Sequence, residues 1–325
     1  VTRRIERALV TGGAGFVGSH LAELLLAEGS EVLVLDDFST AAADTVAELR
    51  ERPGVELVRH DVTRPITVPG RVDVVFHLAS PASPPDYLRL PIETLRAGSL
   101  GTAHALDVAV RADARFVLAS TSEVYGDPEV HPQPESYRGR VNPVGPRSVY
   151  DEAKRYAEAL TAAYRRECGA NTGIARLFNT YGPRMRAHDG RAVPTFIRQA
   201  LAGEPLTVAG SGTQTRSLCY VDDTVRGLLA LAKADLPGPV NLGNPEELTV
   251  RELAEEIRAA AGGSAGLTFV DAAEDDPRRR CPDITLARRE LGWWPRVSLA
   301  EGLARTIRWF EPRREPTPEP SSVFW

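Results

Sequence analysis

Apolar residues fall along the first 120 positions in short, mostly β-branched runs separated by stretches of helical spacing. That is the pattern of a parallel sheet covered by helices on both faces. The runs predict strands over residues 8–11, 32–35, 55–59, 72–77 and 116–119. Between them the spacing predicts helices over 17–28 and 91–110, with a shorter one near 46–50. A Pro- and Gly-rich stretch over 126–147 then precedes a helix over about 150–168 and a strand over 173–177. A long irregular loop inside a compact domain is usually functional.

Past residue 180 the elements shorten, and two helices open on capping-box spacings, Thr249-x-x-Glu252 and Ser298-x-x-Glu301. These read as a smaller lobe on the carboxyl edge of the sheet, where open α/β sheets bind ligands. The expected division is a cofactor-binding domain over 1–180, to which about 218–245 return, and a discontinuous, mainly substrate-binding lobe over 181–312. A Pro-rich tail, 313–325, follows, with Phe324 and Trp325 as docking residues.

Composition narrows the function classes. The 325 residues are 42% hydrophobic and 26% charged, ordinary globular usage. With 39 basic against 44 acidic side chains the net charge is −5, which argues against a nucleic-acid partner. No apolar run approaches the ~20 residues of a membrane span, and no signal-peptide core precedes the first strand. A cytoplasmic protein without a membrane partner is expected. Cys168, Cys219, Cys281 and the six histidines are too scattered for a disulfide framework or a zinc spacing, so no metal is expected.

Chemistry enters at Thr11-Gly-Gly-Ala-Gly-Phe-Val-Gly18, between the first strand and the first helix. Gly12, Gly15 and Gly18, with Phe16 and Val17, form a turn whose backbone can approach a pyrophosphate at a helix N-terminus. Asp36 ends the next strand, eighteen residues past Gly18, where a carboxylate can accept from both adenosine ribose hydroxyls. It would repel a 2′-phosphate, and Asp37-Phe38-Ser39-Thr40 offers no cation to bind one, so NAD is favoured over NADP. Asp61 and Val62, after the third strand, are placed to contact the adenine.

Tyr150 and Lys154 are spaced i, i+4 at the start of a helix and share one face. A tyrosine titrates at about 10, too high for a base at neutral pH, and a neighbouring ammonium and the positive nicotinamide ring both favour the phenolate. The expectation is that Lys154 lowers the pKa of Tyr150.

Together TGGAGFVG, Asp36, Ser120-Thr-Ser-Glu-Val-Tyr-Gly126 and Tyr150-x-x-x-Lys154 resemble the extended short-chain dehydrogenase/reductase family acting on nucleotide sugars. Within it HLASPASPPDY (77–87), NPVGPRSVYDEAKR (142–155), RLFNTYGPRM (176–185), GEPLTVAGSGTQTRS (203–217) and DDPRRRCPDI (275–284) resemble the branch that decarboxylates UDP-glucuronate. The resemblance implies a Rossmann-type, doubly wound α/β fold with a smaller α/β substrate-binding lobe, NAD as cofactor and UDP-glucuronate as substrate. It further implies a homodimer formed by the helices around 91–110 and 150–168.

The chemistry implied is oxidation at the sugar C4 with Tyr150 as base, loss of carbon dioxide from the resulting β-keto acid, and return of the same hydride. UDP-xylose is the product and NAD is recycled. Donors around Tyr150, Thr121 and Ser122 would stabilise the carbanion delocalised onto O4. Sister 4,6-dehydratases carry Thr-Asp-Glu where Thr121-Ser122-Glu123 stands; Ser122 does not repel a substrate carboxylate. Glu123 is read as the acid that positions water or handles the C5 proton, or else as a structural hydrogen-bonder.

The resemblance assigns Arg280 to the active site, Arg216 and Asn179 to the diphosphate, and Leu206-Thr207-Val208 to backbone reading of the uracil. Arg191 is expected at the cofactor with Leu78 and Ser80, Arg96 at a substrate anion, and Tyr87 over the sugar or packed in its loop. Ala41 stands where the family usually has glycine, and Arg96 where lysine is common. Three alternatives stay open: a UDP-glucuronate 4-epimerase, an oxidative decarboxylase releasing the UDP-4-keto-pentose, and a non-catalytic NAD-binding regulator on the same fold.

Overall fold

In a computed structural model that describes residues 4–271 and 278–311, the glycine turn joins β1 (Arg7–Thr11) to α1 (Phe16–Ala27). Then follow β2 (Glu31–Asp36), α2 (Ala43–Glu51), β3 (Val55–Arg59) and β4 (Val74–His77). All four residues of β4 are buried, whereas β3 is half exposed because it is the sheet's edge. The tail lies outside the described residues.

The helix expected over 91–110 is interrupted. α3 (Pro84–Arg89) and α4 (Pro91–Arg96) lead into a π-turn over Ala97–Gly101, and α5 (Thr102–Arg111) continues beyond it. The extra residue in the π-turn breaks the 3.6-residue period that the sequence pattern relies on. α3 was not expected at all: its two prolines occupy the first turn, where a missing N–H costs nothing.

β5 (Arg115–Thr121) is wholly buried and ends in a 3-10 turn, Ser122–Tyr125. After the long loop, α6 (Ser148–Cys168) ends at Gly169 in the left-handed conformation, and β6 (Thr172–Leu177) follows. β7 (Thr180–Tyr181), α7 (Ala192–Ala202), β8 (Leu206–Ala209), β9 (Thr215–Ser217) and β10 (Cys219–Tyr220) precede α8 (Val221–Lys233) and β11 (Val240–Leu242). The chain continues through β12 (Glu247–Thr249), α9 (Val250–Ala260), β13 (Leu267–Val270), α10 (Thr285–Leu291) and α11 (Leu299–Phe310). Both arms of the capping box form at α9, but at Ser298 only the serine arm does.

Seven parallel strands run in the order β11-β6-β5-β4-β1-β2-β3. This is a Rossmann-type doubly wound sheet with an additional α/β lobe. Strand order reverses between β1 and β4, and a ligand crevice opens beyond the carboxyl ends at such a switch point. The other strands pair two by two, β10 with β7, β12 with β9 and β13 with β8. β8, β9, β12 and β13 thus stand apart from the large sheet, while β11 returns to it beside β6.

Candidate active site

A single cleft runs from the glycine turn, past the end of β5, to the segment carrying Arg280. At one end the chain closes tightly on itself. A Cβ on Gly12 would stand 2.7 Å from the Ala79 backbone, and one on Gly18 would collide with the Gly12 carbonyl. Glycine at these two positions lets the first turn of α1 pack directly on the loop. The N-terminus of α1 has no side-chain cap and no acidic residue in its first turn, so its positive end is available to an anion.

Asp36 lies beside this turn, with Oδ2 accepting from Ala14 N at 3.0 Å and Oδ1 from Phe38 N at 2.8 Å. Burial raises its pKa, and those two backbone donors offset part of the rise. The carboxylate is thereby oriented, with lone pairs left for a diol. Glycine cradle, bare helix terminus and oriented acid fit a dinucleotide diphosphate and its adenosine ribose.

Gly12, Gly15, Phe16, Val17, Gly18, Asp37, Ser39, Thr40, Asp61, Val62, Leu78 and Ser80 all line this end of the cleft, as expected. Phe38 does not. It sits at φ 65° with its ring packed on the core, and only its backbone serves the site, through Asp36.

The reacting end is organised by α6 and the end of β5. Tyr150 is buried and stacks on Tyr87, centroids 5.3 Å apart at 9°. The Thr121 side chain at the end of β5 favours the phenolate form of Tyr150. Lys154 Nζ is buried, donates to Ala119 O at 2.9 Å and lies 5.8 Å from the Tyr150 ring centroid. Burial pulls the lysine pKa down to about 8.

The expected effect of Lys154 on Tyr150 is corrected by this geometry. Burial, followed by the negative charge of Glu123, pushes the Tyr150 phenol up to about 12. Thr121 and Arg191 pull the other way and do not prevail. Lys154, itself desolvated and turned to a carbonyl, is no counterweight. Without a further positive charge in the cleft, Tyr150 is a neutral phenol.

Glu123 is fixed by two arginines. Arg280 donates to Oε1 at 2.7 Å and to Oε2 at 2.8 Å, and Arg147 donates to Oε2 at 3.0 Å. Burial alone would raise the carboxyl, but the charges of Arg280 and Arg147 outweigh it and hold Glu123 well below the usual carboxylate range. The reading of Glu123 as a proton-carrying acid is therefore corrected: it is an ionised carboxylate. Arg280 also reaches Asn179 Oδ1 at 3.3 Å, and Arg216, buried nearby, donates to Thr215 O at 2.8 Å. Thr121, Ser122, Asn179, Arg191, Arg216 and Arg280 line the cleft, with Arg96 exposed on it. Arg191 is held by the Asp189 carboxylate.

Leu206, Thr207 and Val208 are not brought to the cleft walls. They lie in β8, paired with β13, with Leu206 and Val208 fully buried. The Thr207 N–H is spent on Gln199 Oε1 at 3.0 Å, and the Leu206 N–H on Gly266 O at 3.0 Å. These two amides are therefore held by protein partners rather than turned to the cleft.

Three residues of this region escaped the sequence reading. Arg147 shares Glu123 with Arg280; its position three before Tyr150, one helical turn away, was the available signal. Asp151 is buried with Oδ1 lacking a hydrogen-bond partner, and burial plus the charge of Glu123 pushes its pKa well up. Glu158 on α6 accepts from Ser120 Oγ at 2.6 Å and from Arg176 at 2.7 and 2.9 Å, clamping α6 to β5 and β6.

Residues 8–243 match the NAD dependent epimerase/dehydratase family. The chain is 50% identical to UDP-glucuronic acid decarboxylase 1 of Xenopus tropicalis over 98% of its own length and 77% of that protein's. Among solved structures, it superposes on the dTDP-glucose 4,6-dehydratase of Streptomyces venezuelae, which has NAD bound, with TM-score 0.86 and 31% identity, covering 95% and 98% of the two chains. A UDP-glucuronic acid 4-epimerase of Bacillus cereus gives 0.84 and 28%, covering 94% and 99%.

Proposed function

Because the chain belongs to the NAD dependent epimerase/dehydratase family, we propose that its cleft performs the reaction named for its 50%-identical relatives. It is an NAD-dependent decarboxylase that converts UDP-glucuronate to UDP-xylose and carbon dioxide through a 4-keto intermediate, with NAD recycled. The observation that carries this reading is the pairing of Tyr150 and Lys154 with an ionised Glu123 clamped by Arg280 in one cleft.

When bound, NAD supplies the acceptor for the sugar C4 hydride, later returns it, and in its oxidised form carries the positive charge that a phenolate needs. Gly12, Gly15 and Gly18 with the N-terminus of α1 hold its diphosphate, and Asp36 its adenosine ribose. Tyr150 Oη takes the proton of the 4-hydroxyl and gives it back, with the Thr121 side chain favouring the phenolate. Tyr150, Thr121 and Ser122 stabilise the developing enolate oxygen as carbon dioxide leaves the 4-ketone. Glu123, ionised and fixed, orients the water that delivers the C5 proton; Arg280 binds the substrate carboxylate. Arg216 and Asn179 take the diphosphate, Arg96 meets the substrate at the rim, Tyr87 packs over the sugar and Arg191 serves the cofactor.

We assign the large sheet with α8 and β11 to NAD, and the elements between and beyond them to the nucleotide sugar. The acting form is a homodimer. Ile92, Leu100 and Tyr156 are 54%, 48% and 52% exposed, on the helices around 91–110 and 150–168, and covering exposed apolar side chains favours association. No helix among the described residues is long and apolar enough to cross a membrane.

The test is to incubate purified protein with UDP-glucuronate and NAD and identify the products by mass and NMR. Loss of carbon dioxide with xylo configuration is expected. Unchanged mass with inverted C4 would make it an epimerase, and accumulating NADH an oxidative decarboxylase.

A further inference from the structure

Outside the cleft, three segments remote in sequence bring a histidine, a glutamate and a cysteine together. His131 Nε2 lies 3.1 Å from Glu247 Oε2, and a ring nitrogen of His131, a carboxylate oxygen of Glu247 and Cys281 Sγ all lie within 4.8 Å of one another. The backbones beneath them are already fixed. Gln133 N donates to Cys281 O at 2.8 Å, and Cys281 N donates to Gln133 Oε1 at 2.8 Å, tying the His131 segment to the Cys281 segment. Glu247 stands opposite Ser217 in the β12–β9 pair, and Thr215 Oγ1 donates to its Oε1, which orients Oε2 toward the histidine.

One thiol, one imidazole and one carboxylate are the donor set of a zinc-class cation. Ligand distances of about 2.0–2.3 Å put the edges of such a tetrahedron at about 3.3–3.5 Å. Modest side-chain rotation reaches that from the present spacing. The His131 and Glu247 side chains are 23% and 21% exposed, so an ion and a fourth, water ligand can enter from solvent. We infer that His131, Glu247 and Cys281 form a binding site for a thiophilic divalent cation of the zinc class, separate from the catalytic cleft.

Binding forms bonds from the cation to Sγ, Nε2 and Oε2, and the thiol releases its proton to solvent. The imidazole proton moves to Nδ1. That atom is 3.5 Å from Gln133 Nε2, at the outer limit of a hydrogen bond, so little is lost. Sγ gives up only a weak contact to Pro245 O at 3.4 Å. The site adjoins both cleft arginines through the chain: Cys281 follows Arg280, and Glu247 pairs with the residue after Arg216. An ion here would stiffen the backbone that carries them.

The test uses chelator-stripped, NAD-loaded protein titrated with Zn2+ against a chromophoric indicator, and separately with Co2+. One ion per chain is expected, with about one proton released and a thiolate-to-cobalt absorption band. Cys281→Ser should abolish the band and weaken binding at least about tenfold, and His131→Ala should weaken it similarly. Unchanged NAD binding and melting temperature confirm that each variant is folded. Failure to bind one ion at micromolar concentration, or affinity in both variants unchanged from that of the parent protein, would overturn the inference. None of these readouts depends on which reaction the cleft performs.

Discussion

A phenol buried beside a carboxylate resists ionisation, and Tyr150 is buried beside Glu123, which together push it up to about 12. Its proton transfer is therefore conditional on positive charge arriving in the cleft, which makes the hydroxyl inert in the empty protein. Tyr150→Phe should lower kcat by about 10²–10⁴-fold, the usual weight of a general base, while NAD titrated by fluorescence quenching binds as before. A drop of less than tenfold would remove Tyr150 from the role. Arg280→Gln should raise KM for UDP-glucuronate far more than it changes affinity for UDP, because Arg280 is assigned to the carboxylate. It should also lower the melting temperature by several degrees, since Glu123 loses its two-point partner. Equal losses for UDP and UDP-glucuronate would reassign Arg280 to the diphosphate.

Tyr150, Lys154 and the glycine turn were legible in the sequence because each is a local pattern on one element. The ionised state of Glu123 was not. Its partners stand at 147 and 280, and no spacing rule links three positions so far apart. The same distance hid the meeting of His131, Glu247 and Cys281. At Leu206 and Thr207 a motif marked the segment, but the amides' partners, Gly266 and Gln199, decide whether they face a ligand, and neither is readable from the motif.

At the scale of elements, α6 carries the chemistry into the cleft and is costly to seat. Its Lys154 side chain is buried with its ammonium on a carbonyl, and burial depresses its pKa from 10.5 to about 8. A depressed folded-state pKa contributes stability that is present above the unfolded value and lost as pH falls through the folded one. The protein should therefore lose stability relative to Lys154→Met as pH falls from 10.5 to about 8, by up to ~1.4 kcal/mol per pH unit. Below that window the difference should be flat. Denaturant melts of the two proteins across pH 7–10.5 measure it, and a difference independent of pH would show that the lysine is not desolvated. Six of the seven sheet strands, β1 to β6, were legible because they are continuous apolar runs alternating with helices; the three-residue β11 is too short to carry that signal. The π-turn at Ala97–Gly101 and the Pro-Pro start of α3 were not, since both break the periodicity used to find helices.

For the whole molecule, two surfaces set behaviour beyond the single chain. Ile92, Leu100 and Tyr156 leave apolar side chains exposed on α4, the π-turn and α6. Light scattering should report a dimer, and Leu100→Asp combined with Tyr156→Glu should give a folded monomer. A parent protein that is monomeric at micromolar concentration would remove the assignment. The cleft itself joins the cofactor end of the large sheet to the arginines carried by β9 and by the segment before α10. A nucleotide sugar spanning it would contact both parts of the chain at once.

If the sugar is oxidised, decarboxylated and reduced without leaving the cleft, UDP-glucuronate carrying deuterium at C4, turned over with unlabelled NAD in ordinary water, should yield UDP-xylose that retains the deuterium at C4. Run in heavy water with unlabelled substrate, the same reaction should place one solvent deuteron at C5. Xylose without label at C4, or carbon dioxide released at full rate by protein stripped of NAD, would contradict that course.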